Sequence, residues 1–225
     1  MIQAVLLDID DTLLDFGQAA RLSIQEGFAR LGFPFTEKVM AVFTQVNDEL
    51  WQRLERGELT REGIYHVRWT QIFQRLGLSF DGPAFDHAFR QQLARQGCPV
   101  DGALPLVQYL SARYVLCAAS NGPYSQQLQR LGDAGMLPYF HHLFISEQLG
   151  CAKPARAFYD RCFAALAPIG PNESILIGDS PTADVAGGLA YGIHTCWFNP
   201  KGRPLPQGCR PDYEISRLDE LMDIL

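Results

Sequence analysis

The sequence predicts an α/β fold: a Rossmann-like parallel sheet flanked by helices, with an all-α helical module inserted after its first strand. Two observations lead to this prediction. Short apolar runs alternate with helical segments from Pro99 onward, which is typical of a parallel sheet covered on both faces. Between residues 17 and 97, helical periodicity is interrupted only by Gly and Pro. We therefore expect residues 1–15 and 98–225 to form the α/β core and residues 16–97 to form the insertion.

The individual elements follow in order from this pattern. The apolar run at residues 4–8 predicts a buried first strand. Four helices are expected in the insertion, at residues 18–31, 36–56, 60–76 and 83–96, each bounded by Gly, Pro or a capping Thr. In the second part of the core we expect strands at residues 114–119, 142–145, 174–177, 194–198 and 213–215. Helices are expected there at residues 103–112, 125–131, 154–166, 183–191 and 218–225.

Length and composition limit the possible functions. For a chain of 225 residues, surface scaling predicts that about 70% of the unfolded surface is buried, which supports a core without disulfides. The 19 basic and 25 acidic residues give a net charge of −6, which argues against nucleic-acid binding because a phosphate backbone requires a basic surface. No apolar run approaches the ~20 residues of a membrane span. The N-terminus lacks the basic region of a signal peptide.

The six cysteines indicate a reducing compartment. No two of them lie closer than eleven positions, so the CxxC spacing of metal and redox sites does not occur. Three have apolar neighbours and are expected to be small core residues. We therefore expect a cytoplasmic protein whose partner is neither a nucleic-acid polymer nor a membrane.

Acidic and polar residues collect where the predicted strands end. In a parallel α/β sheet, ligands bind beyond these carboxyl ends. Each residue by itself has an ordinary explanation, since Asp is common in turns and at helix N-termini and a single Lys is usually a solvated surface residue. A fold alone does not require all of them at one edge of one sheet. The residues are Asp8, Asp10, Asp179 and Asp184, with Ser120 and Lys153.

This ordered set resembles the four motifs of the haloacid dehalogenase (HAD) superfamily, and the resemblance covers the whole chain. The DxDxT motif corresponds to Asp8-Ile9-Asp10-Asp11-Thr12, the Ser/Thr motif to Ser120, the Lys motif to Lys153 and the GDxxxxD motif to residues 178–184. The helical insertion after the first motif resembles that of members with a small helical cap of the C1 type. The resemblance implies a cap that closes over the site and selects the leaving group.

The resemblance also implies a phosphatase that works through an aspartyl-phosphate intermediate. Asp8 would attack phosphorus, and Asp10 would protonate the leaving alkoxide and then activate the hydrolytic water. Lys153 would neutralise developing charge and pair with Asp8. The phosphate oxygens would be bound by Ser120 and by the amides around Asp11 and Asn121.

The same motifs imply a divalent metal cofactor, Mg²⁺. A phosphate monoester is a dianion, and a carboxylate that approaches it to ~4 Å at an effective dielectric near 20 is opposed by roughly 4 kcal/mol per pair of unit charges. An ion held by oxygen ligands cancels this repulsion. The implied ligands are Asp8, the backbone carbonyl of Asp10, Asp179 and, directly or through water, Asp184.

Several other functions stay open at this point. The superfamily's dehalogenases lack an acid/base Asp at the position of Asp10 and need no metal, so Asp10 with Asp179 disfavours them. A phosphomutase, or a phosphatase for sugar phosphates or other small phosphorylated metabolites, would use the same motifs. A response-regulator receiver has its acidic residues in a different chain order and has no helical insertion. A non-catalytic phosphate-binding or phospho-acceptor module is expected to have a broken motif, and none is broken.

Residues 47–51, 56–60, 145–154 and 195–199 resemble bacterial pyrimidine 5′-nucleotidases of this superfamily. This resemblance implies that the small phosphorylated substrate is a nucleoside 5′-monophosphate. Aromatic and basic groups in the insertion suit a nucleobase, although the Trp and Phe residues among them are expected to form the helical core. These groups are Trp51, Tyr65, His66, Arg68, Trp69 and Phe73.

Overall fold

The structure, a computed structural model, describes every residue from Met1 to Leu225. Its strands are β1 (Ala4–Leu7), β2 (Val115–Ser120), β3 (His142–Ile145), β4 (Ser174–Gly178), β5 (His194–Phe198) and β6 (Tyr213–Ile215). They form one parallel sheet with the order β3-β2-β1-β4-β5-β6. The predicted class, a Rossmann-like parallel sheet flanked by helices, is confirmed.

The chain divides into two compact units. The α/β unit comprises Met1–Phe16 and Gly97–Leu225, and the helical unit comprises Gly17–Gln96. The first four helices are α1 (Phe16–Leu31), α2 (Glu37–Glu55), α3 (Arg61–Leu76) and α4 (Gly82–Leu93). The others are α5 (Ala103–Ser111), α6 (Tyr124–Asp133), α7 (Ser146–Leu149), α8 (Arg156–Leu166), α9 (Gly187–Tyr191) and α10 (Leu221–Ile224). None of the helices is both long enough and apolar enough to cross a membrane.

Strand β1 lies between β2 and β4. Leu7 is opposite Ala118 of β2 and Ile177 of β4, so the three strands end side by side. Asp8 follows directly, and its amide donates to the Ile177 carbonyl at 2.9 Å. Because the strand order reverses at β1, the crevice beyond its carboxyl end is the expected place for a ligand.

The four residues of β1 are all buried, which explains why the strand has no polar alternation in the sequence. Val5 and Leu7 contribute to the core on one face of the sheet, and Ala4 and Leu6 to the core on the other. Burial on both faces gives Asp8 a rigid base. The three core cysteines expected from the sequence are confirmed as Cys117, Cys162 and Cys196.

The helical unit is built around a cluster of aromatic rings. The ring of Trp69, which is fully buried, packs against those of Phe43, Phe73, Phe85 and Phe89, with centroids 4.3 to 5.7 Å apart. Ring pairs at these separations stabilise a core beyond their buried area. Trp69 and Phe73 are therefore core residues, as expected.

Arg68 requires a correction. Its side chain is buried and forms an ion pair with the equally buried Asp86 at 2.8 Å. A guanidinium removed from water needs such a counter-ion, so the charge of Arg68 is used inside the unit and is not available to a nucleobase. Of the other groups considered, Trp51 and Tyr65 are half-buried and His66 is exposed.

Among the helix boundaries that differ from the prediction, two have a clear local reason. Helix α8 begins at Arg156, because residues 152–155 form a turn in which the Ala155 amide donates to the Ala152 carbonyl at 2.9 Å. The helix expected at residues 183–191 begins as a π-helical turn at Pro181–Ala186 and continues as α9. Turns of this type are frequent at functional sites.

Candidate functional site

Lys153 brings two of the predicted acidic residues together. It is buried, and its ammonium donates to Asp8 Oδ1 at 2.8 Å, to Asp184 Oδ1 at 2.6 Å and to the Ala119 carbonyl. An ammonium has three N–H donors, so all of them are used. Burial alone would lower the pKa of Lys153, but Asp184 and Asp8 outweigh it and raise the pKa. The side chain is therefore a fixed positive charge.

Asn121, which follows β2, holds the backbone of Lys153. Its Nδ2 donates to the Lys153 carbonyl and its Oδ1 accepts from the Lys153 amide, both at 2.8 Å. The side-chain amide thus satisfies one donor and one acceptor of a residue that lies between elements, where no strand can pair with it. The sequence associated Asn121 with phosphate, and the structure shows that its side chain fixes the position of the lysine.

Asp184 approaches the sheet through the π-helical turn. The amides of Asp184 and Val185 both donate to the Ser180 carbonyl, at 3.1 and 3.2 Å, and Asp184 Oδ2 accepts from the Ser180 amide at 3.0 Å. Gly178 makes this approach possible, because a Cβ at that position would lie 2.2 Å from Asp184 Oδ2. The glycine and second aspartate of the GDxxxxD motif therefore fit one another directly.

Asp179 has two partners that the sequence did not indicate. Trp197 Nε1 donates to its carbonyl at 2.9 Å, and Arg203 donates to the same carbonyl at 2.8 Å and to Oδ2 at 3.2 Å. The Arg203 guanidinium also lies 5.9 Å from the centroid of the Trp197 ring. Arg203 belongs to a Pro- and Gly-rich segment whose composition indicates only a surface loop.

Asp8, Asp179 and Asp184 form a group that can hold a metal ion. One carboxylate oxygen from each lies within 4.8 Å of the others. Two ligands on opposite sides of an octahedral Mg²⁺ are about 4.2 Å apart, so small side-chain rotations suffice. The three carboxylates carry one more negative charge than Lys153 and Arg203 can balance, and this residual charge and the all-oxygen donor set fit a hard cation.

Two members of this group, Asp8 and Asp179, have raised pKa values. Burial, with the charges of Asp184 and Asp179, raises the pKa of Asp8 well above its usual range although Lys153 opposes the shift. Burial, with the charges of Asp184 and Asp11, raises the pKa of Asp179 to about 7 against the effect of Arg203. A bound divalent cation would stabilise both carboxylates in their ionised form.

The Asp10 side chain is bound by helix α6 and is not part of the metal-binding group. Gln127 Nε2 donates to its Oδ2 at 2.6 Å, and Arg130 Nη1 donates to its Oδ1. The carboxylate retains 30% exposure, whereas the Arg130 side chain has none. Sequence reasoning missed both donors; the only available signal was a Gln and an Arg three positions apart on a helix next to the Ser120 motif.

Ser120 is buried at the end of β2, with its hydroxyl close to the same donors. Its Oγ accepts from the Gly122 amide at 3.1 Å and from Gln127 Nε2 at 3.0 Å. A hydroxyl has two acceptor positions and one donor. Because both acceptor positions are used, the O–H is left to donate, as binding to a phosphate oxygen requires.

The Asp11 amide has a different partner from the expected phosphate. It donates to the Leu14 carbonyl at 2.8 Å, and the Asp11 carboxylate accepts from the Phe16 amide at 3.1 Å. The backbone of Asp11 is left-handed, with φ of 57°, a conformation that Asp tolerates better than most residues. Asp11 therefore closes the turn after β1, and its amide is engaged within that turn.

Residues 2–192 match the model of the haloacid dehalogenase-like hydrolase family. This stretch contains all four motifs and most of both units. The chain belongs to this family. The resemblance seen in the sequence motifs is thereby confirmed.

Relatives of similar length support the family assignment. The chain is 33% identical over 223 residues to the putative HAD-hydrolase YfnB of Bacillus subtilis (strain 168), covering 99% of this chain and 95% of YfnB. It is 33% identical over 222 residues to the pyrimidine 5′-nucleotidase PynA of Streptococcus pneumoniae (strain ATCC BAA-255 / R6), covering 98% and 94%. It is 28% identical over 221 residues to the pyrimidine 5′-nucleotidase YjjG of Escherichia coli (strain K12), covering 98% and 96%.

Solved structures share the fold of this HAD hydrolase. The crystal structure of magnesium-bound YfnB, at 33% identity, matches with a TM-score of 0.95 and covers 100% of this chain and 98% of that one. A HAD phosphatase from Thermococcus onnurineus, at 24% identity, matches with a TM-score of 0.67 and covers 99% and 97%. The HAD-like core predicted from the sequence is thus confirmed.

The arrangement of the site separates three chemical roles. Asp8 presents a buried carboxylate beside the fixed Lys153 ammonium, and Asp179 and Asp184 add oxygen ligands. Asp10 presents a partly exposed carboxylate that accepts hydrogen bonds from helix α6. One edge of the sheet therefore presents a buried carboxylate beside a fixed positive charge, a group that can hold a metal ion and a carboxylate that is open to solvent.

Proposed function

We propose that this chain is a Mg²⁺-dependent phosphomonoester hydrolase that acts on nucleoside 5′-monophosphates, preferentially those of pyrimidines, through an aspartyl-phosphate. The observation that carries the proposal is the Lys153 ammonium shared by the buried carboxylates of Asp8 and Asp184, with Asp179 alongside. This group has the negative charge to hold a divalent cation and a carboxylate to attack a phosphate.

In the first step, a carboxylate oxygen of Asp8 attacks phosphorus. The new O–P bond forms as the bond from phosphorus to the 5′-oxygen of the nucleoside breaks, and Asp10 donates its proton to that leaving oxygen. Ser120, through its free O–H, and Lys153, through its charge, stabilise the phosphate oxygens. The products of this step are the nucleoside and phosphorylated Asp8.

In the second step, Asp10 accepts a proton from a water molecule. The water oxygen attacks the phosphorus, and the O–P bond to Asp8 breaks, which releases inorganic phosphate and regenerates the Asp8 carboxylate. One residue serves both steps because the proton that Asp10 gives in the first is replaced by the one it takes in the second. Its partial exposure gives access to both the leaving group and water.

We assign the metal ligands to Asp8, Asp179, Asp184 and the backbone carbonyl of Asp10. Bound there, Mg²⁺ would reduce the repulsion between Asp8 and the substrate dianion and orient the transferring oxygens. The magnesium-bound crystal structure of YfnB, which is 33% identical over the whole chain, supports the choice of ion.

The nucleotide assignment is supported by the relatives. PynA and YjjG carry the name pyrimidine 5′-nucleotidase and align with at least 98% of this chain at 33% and 28% identity. The segments at residues 47–51, 56–60, 145–154 and 195–199, which resemble that group in the sequence, lie in both units. We therefore expect a small phosphorylated metabolite as the partner molecule.

Phosphate release from a substrate panel with Mg²⁺ tests this proposal. The panel contains pyrimidine and purine nucleoside 5′-monophosphates, sugar phosphates and p-nitrophenyl phosphate, and we expect the highest kcat/KM with pyrimidine nucleotides. Asp8→Asn should abolish phosphate release, and Asp219→Asn, at an exposed position where the carboxylate pairs with Arg217, is its matched control. A protein that hydrolyses none of the panel would refute the phosphatase assignment. Sugar phosphates that exceed all nucleotides at equal concentration, or that isomerise without phosphate release, would refute the nucleotidase assignment alone.

A further inference from the structure

The Asp10 carboxylate has a hydrogen-bond donor on each oxygen, and both donors come from helix α6. Gln127 Nε2 lies 2.6 Å from Oδ2, and Arg130 Nη1 donates to Oδ1. Gln127 and Arg130 are both fully buried, whereas the Asp10 side chain is 30% exposed. Two buried side chains, Gln127 and Arg130, therefore hold a carboxylate that is itself partly exposed to solvent.

The spacing of the two donors explains how one helix serves both oxygens. Positions 127 and 130 differ by three, so their side chains lie on the same face of α6. Arg130 Nη1 also donates to Gln127 Oε1 at 3.3 Å, which fixes the two donors relative to each other. Each oxygen of a carboxylate can accept two hydrogen bonds, so the second position on each oxygen stays available for the proton that Asp10 exchanges.

Gln127 also connects Asp10 to the phosphate-binding serine. The same Nε2 that donates to Asp10 lies 3.0 Å from Ser120 Oγ. Gly122 gives this amide its space, since a Cβ at position 122 would lie 2.3 Å from Gln127 Nε2. The orientation of Asp10 is thus tied to the end of β2, where Ser120 lies.

Stability alone does not account for a guanidinium at this position. Removing a cation from water is costly, and replacing a buried ion pair by apolar residues of similar volume is often neutral or stabilising. Here the buried cation is paired with a carboxylate that is partly in solvent. The gain that such a pair offers is a defined orientation of the carboxylate, as required of a group that must transfer a proton along one direction.

We propose that Gln127 and Arg130 are positioning residues that fix the Asp10 carboxylate for its exchange of a proton with the leaving oxygen and with water. This inference rests on the proposed function. A guanidinium does not act as an acid in proteins, and a side-chain amide has no acidic proton. Neither residue is a proton source, so their effect is exerted through Asp10.

The test compares two leaving groups in Gln127→Met and Arg130→Met. With a nucleoside 5′-monophosphate, whose alkoxide leaving group needs a proton, we expect kcat to fall about 10²-fold while KM changes less than threefold. With p-nitrophenyl phosphate the leaving group needs no proton, so phosphorylation of Asp8 persists and hydrolysis of the intermediate becomes slow. We expect a burst of nitrophenol equal to the enzyme concentration, which the wild type does not show.

Three controls separate positioning from a loss of structure. Gln129→Met makes the same exchange at an exposed position of α6, and we expect wild-type kinetics. Arg130→Lys keeps a donor, so it should recover at least tenfold of the loss in Arg130→Met. In an Asp10→Asn background, Arg130→Met should change kcat less than threefold, because the group that it positions is already missing.

The absence of a p-nitrophenol burst in both variants, or multiplicative losses in the Asp10→Asn background, would overturn the inference. If Arg130→Met does not fold, as judged by circular dichroism, Gln127→Met and Arg130→Lys decide the question by the same criteria. A wild-type protein that releases no phosphate from any ester would instead refute the proposed function. The two failures are therefore distinguished by the wild-type measurement.

Discussion

The molecule contains two buried groups of opposite charges, one in each unit, and they differ in how the charges balance. In the helical unit, Arg68 donates to Asp86 Oδ1 at 2.9 and 2.8 Å, and Arg90 donates to Asp86 Oδ2 at 2.9 Å. In the α/β unit, Lys153 pairs with Asp8 and Asp184, and Asp179 lies within reach of both. In the first group the buried Arg68 and Asp86 balance each other, and Arg90 is partly exposed to solvent, whereas the second group has more carboxylates than cations.

The difference in balance corresponds to a difference in role. Arg68 and Asp86 are buried, and the third guanidinium nitrogen, Nη1, donates to Asn47 Oδ1 at 3.0 Å, so each nitrogen of Arg68 has a partner within the protein. Asp8 and Asp179 instead have raised pKa values, first because of burial and then because of the carboxylates beside them. A buried group of charges is thus a structural contact when its cations and carboxylates balance. It indicates a cation site when carboxylates are in excess.

The largest effect is expected from removing the proposed nucleophile, Asp8. We expect Asp8→Asn to lower phosphate release by at least about 10⁴-fold, as loss of a covalent nucleophile does. Because Asp8 shares the Lys153 ammonium with Asp184 and lies close to Asp179, we also expect the melting temperature of the metal-free protein not to fall. Activity above one part in about 10³, or a clear loss of stability without metal, would contradict the assigned role.

Removing a carboxylate from the balanced group of Arg68 and Asp86 should instead destabilise the protein. Asp86→Leu leaves the Arg68 guanidinium buried without its carboxylate, and we expect the free energy of unfolding to decrease by about 3–5 kcal/mol. Urea denaturation with and without Mg²⁺ measures this loss, which should be the same in both conditions. A loss that disappears on adding Mg²⁺ would show that the two groups are not independent.

Mg²⁺ should stabilise the folded protein only by binding to the group of Asp8, Asp179 and Asp184. At Mg²⁺ concentrations near 100 times Kd, we expect about 2.7 kcal/mol of added stability, since the ion binds the folded state alone. Asp179→Asn and Asp184→Asn should each remove most of this gain, while Asp219→Asn should retain it. The melting temperature as a function of Mg²⁺ concentration gives the measurement, and equal gains in all variants would place the ion elsewhere.

The smallest expected effect is a pH dependence of metal affinity. Burial raises the pKa of Asp179 to about 7, so below that pH the metal must displace a proton, and each further pH unit weakens binding up to about tenfold. Calorimetric titration at pH 8 and pH 6 should reveal this change, and Asp179→Asn should reduce it. Affinity that does not vary between these pH values would contradict the role of Asp179.

The sign of the effect on stability follows from the same shift. The folded protein binds the Asp179 proton more tightly than the unfolded chain does, so between about pH 4 and pH 7 the folded state holds more protons. The contribution of this group to metal-free stability is therefore lost as the pH rises toward 7. Bound Mg²⁺ should reverse the trend, and unfolding curves across this range test both statements.

The sequence predicts much of the fold because its pattern is local. The buried strand β1 requires an uninterrupted apolar run, and the alternation of strands and helices after Pro99 indicates a parallel sheet without reference to distant contacts. The same logic applies to Asp8, Asp179 and Asp184, which follow strands that end at one edge. Position in an element is encoded nearby in the chain, so it can be inferred from one sequence.

The direction of side chains is not encoded in this way. Gln127 and Arg130 look like ordinary polar positions of a helix, yet the structure buries them against Asp10, 117 and 120 residues away. Arg203 looks like a loop residue but contacts Asp179. Arg68 looks available for a ligand but is buried against Asp86. Contacts between distant segments depend on packing, which periodicity does not describe.

By itself, then, the sequence determined the α/β class, the helical insertion and the set of acidic residues with Ser120 and Lys153, because each follows from local periodicity, turn chemistry or a short motif. The tertiary structure decided which charges are balanced and which are not. In the folded chain the Asp11 amide donates to the Leu14 carbonyl and the Asn121 side chain bonds to the backbone of Lys153. The Asp10 carboxylate accepts from Gln127 on α6. These outcomes required folding, because a hydrogen bond depends on distance and direction in space, and the order of residues along the chain specifies neither.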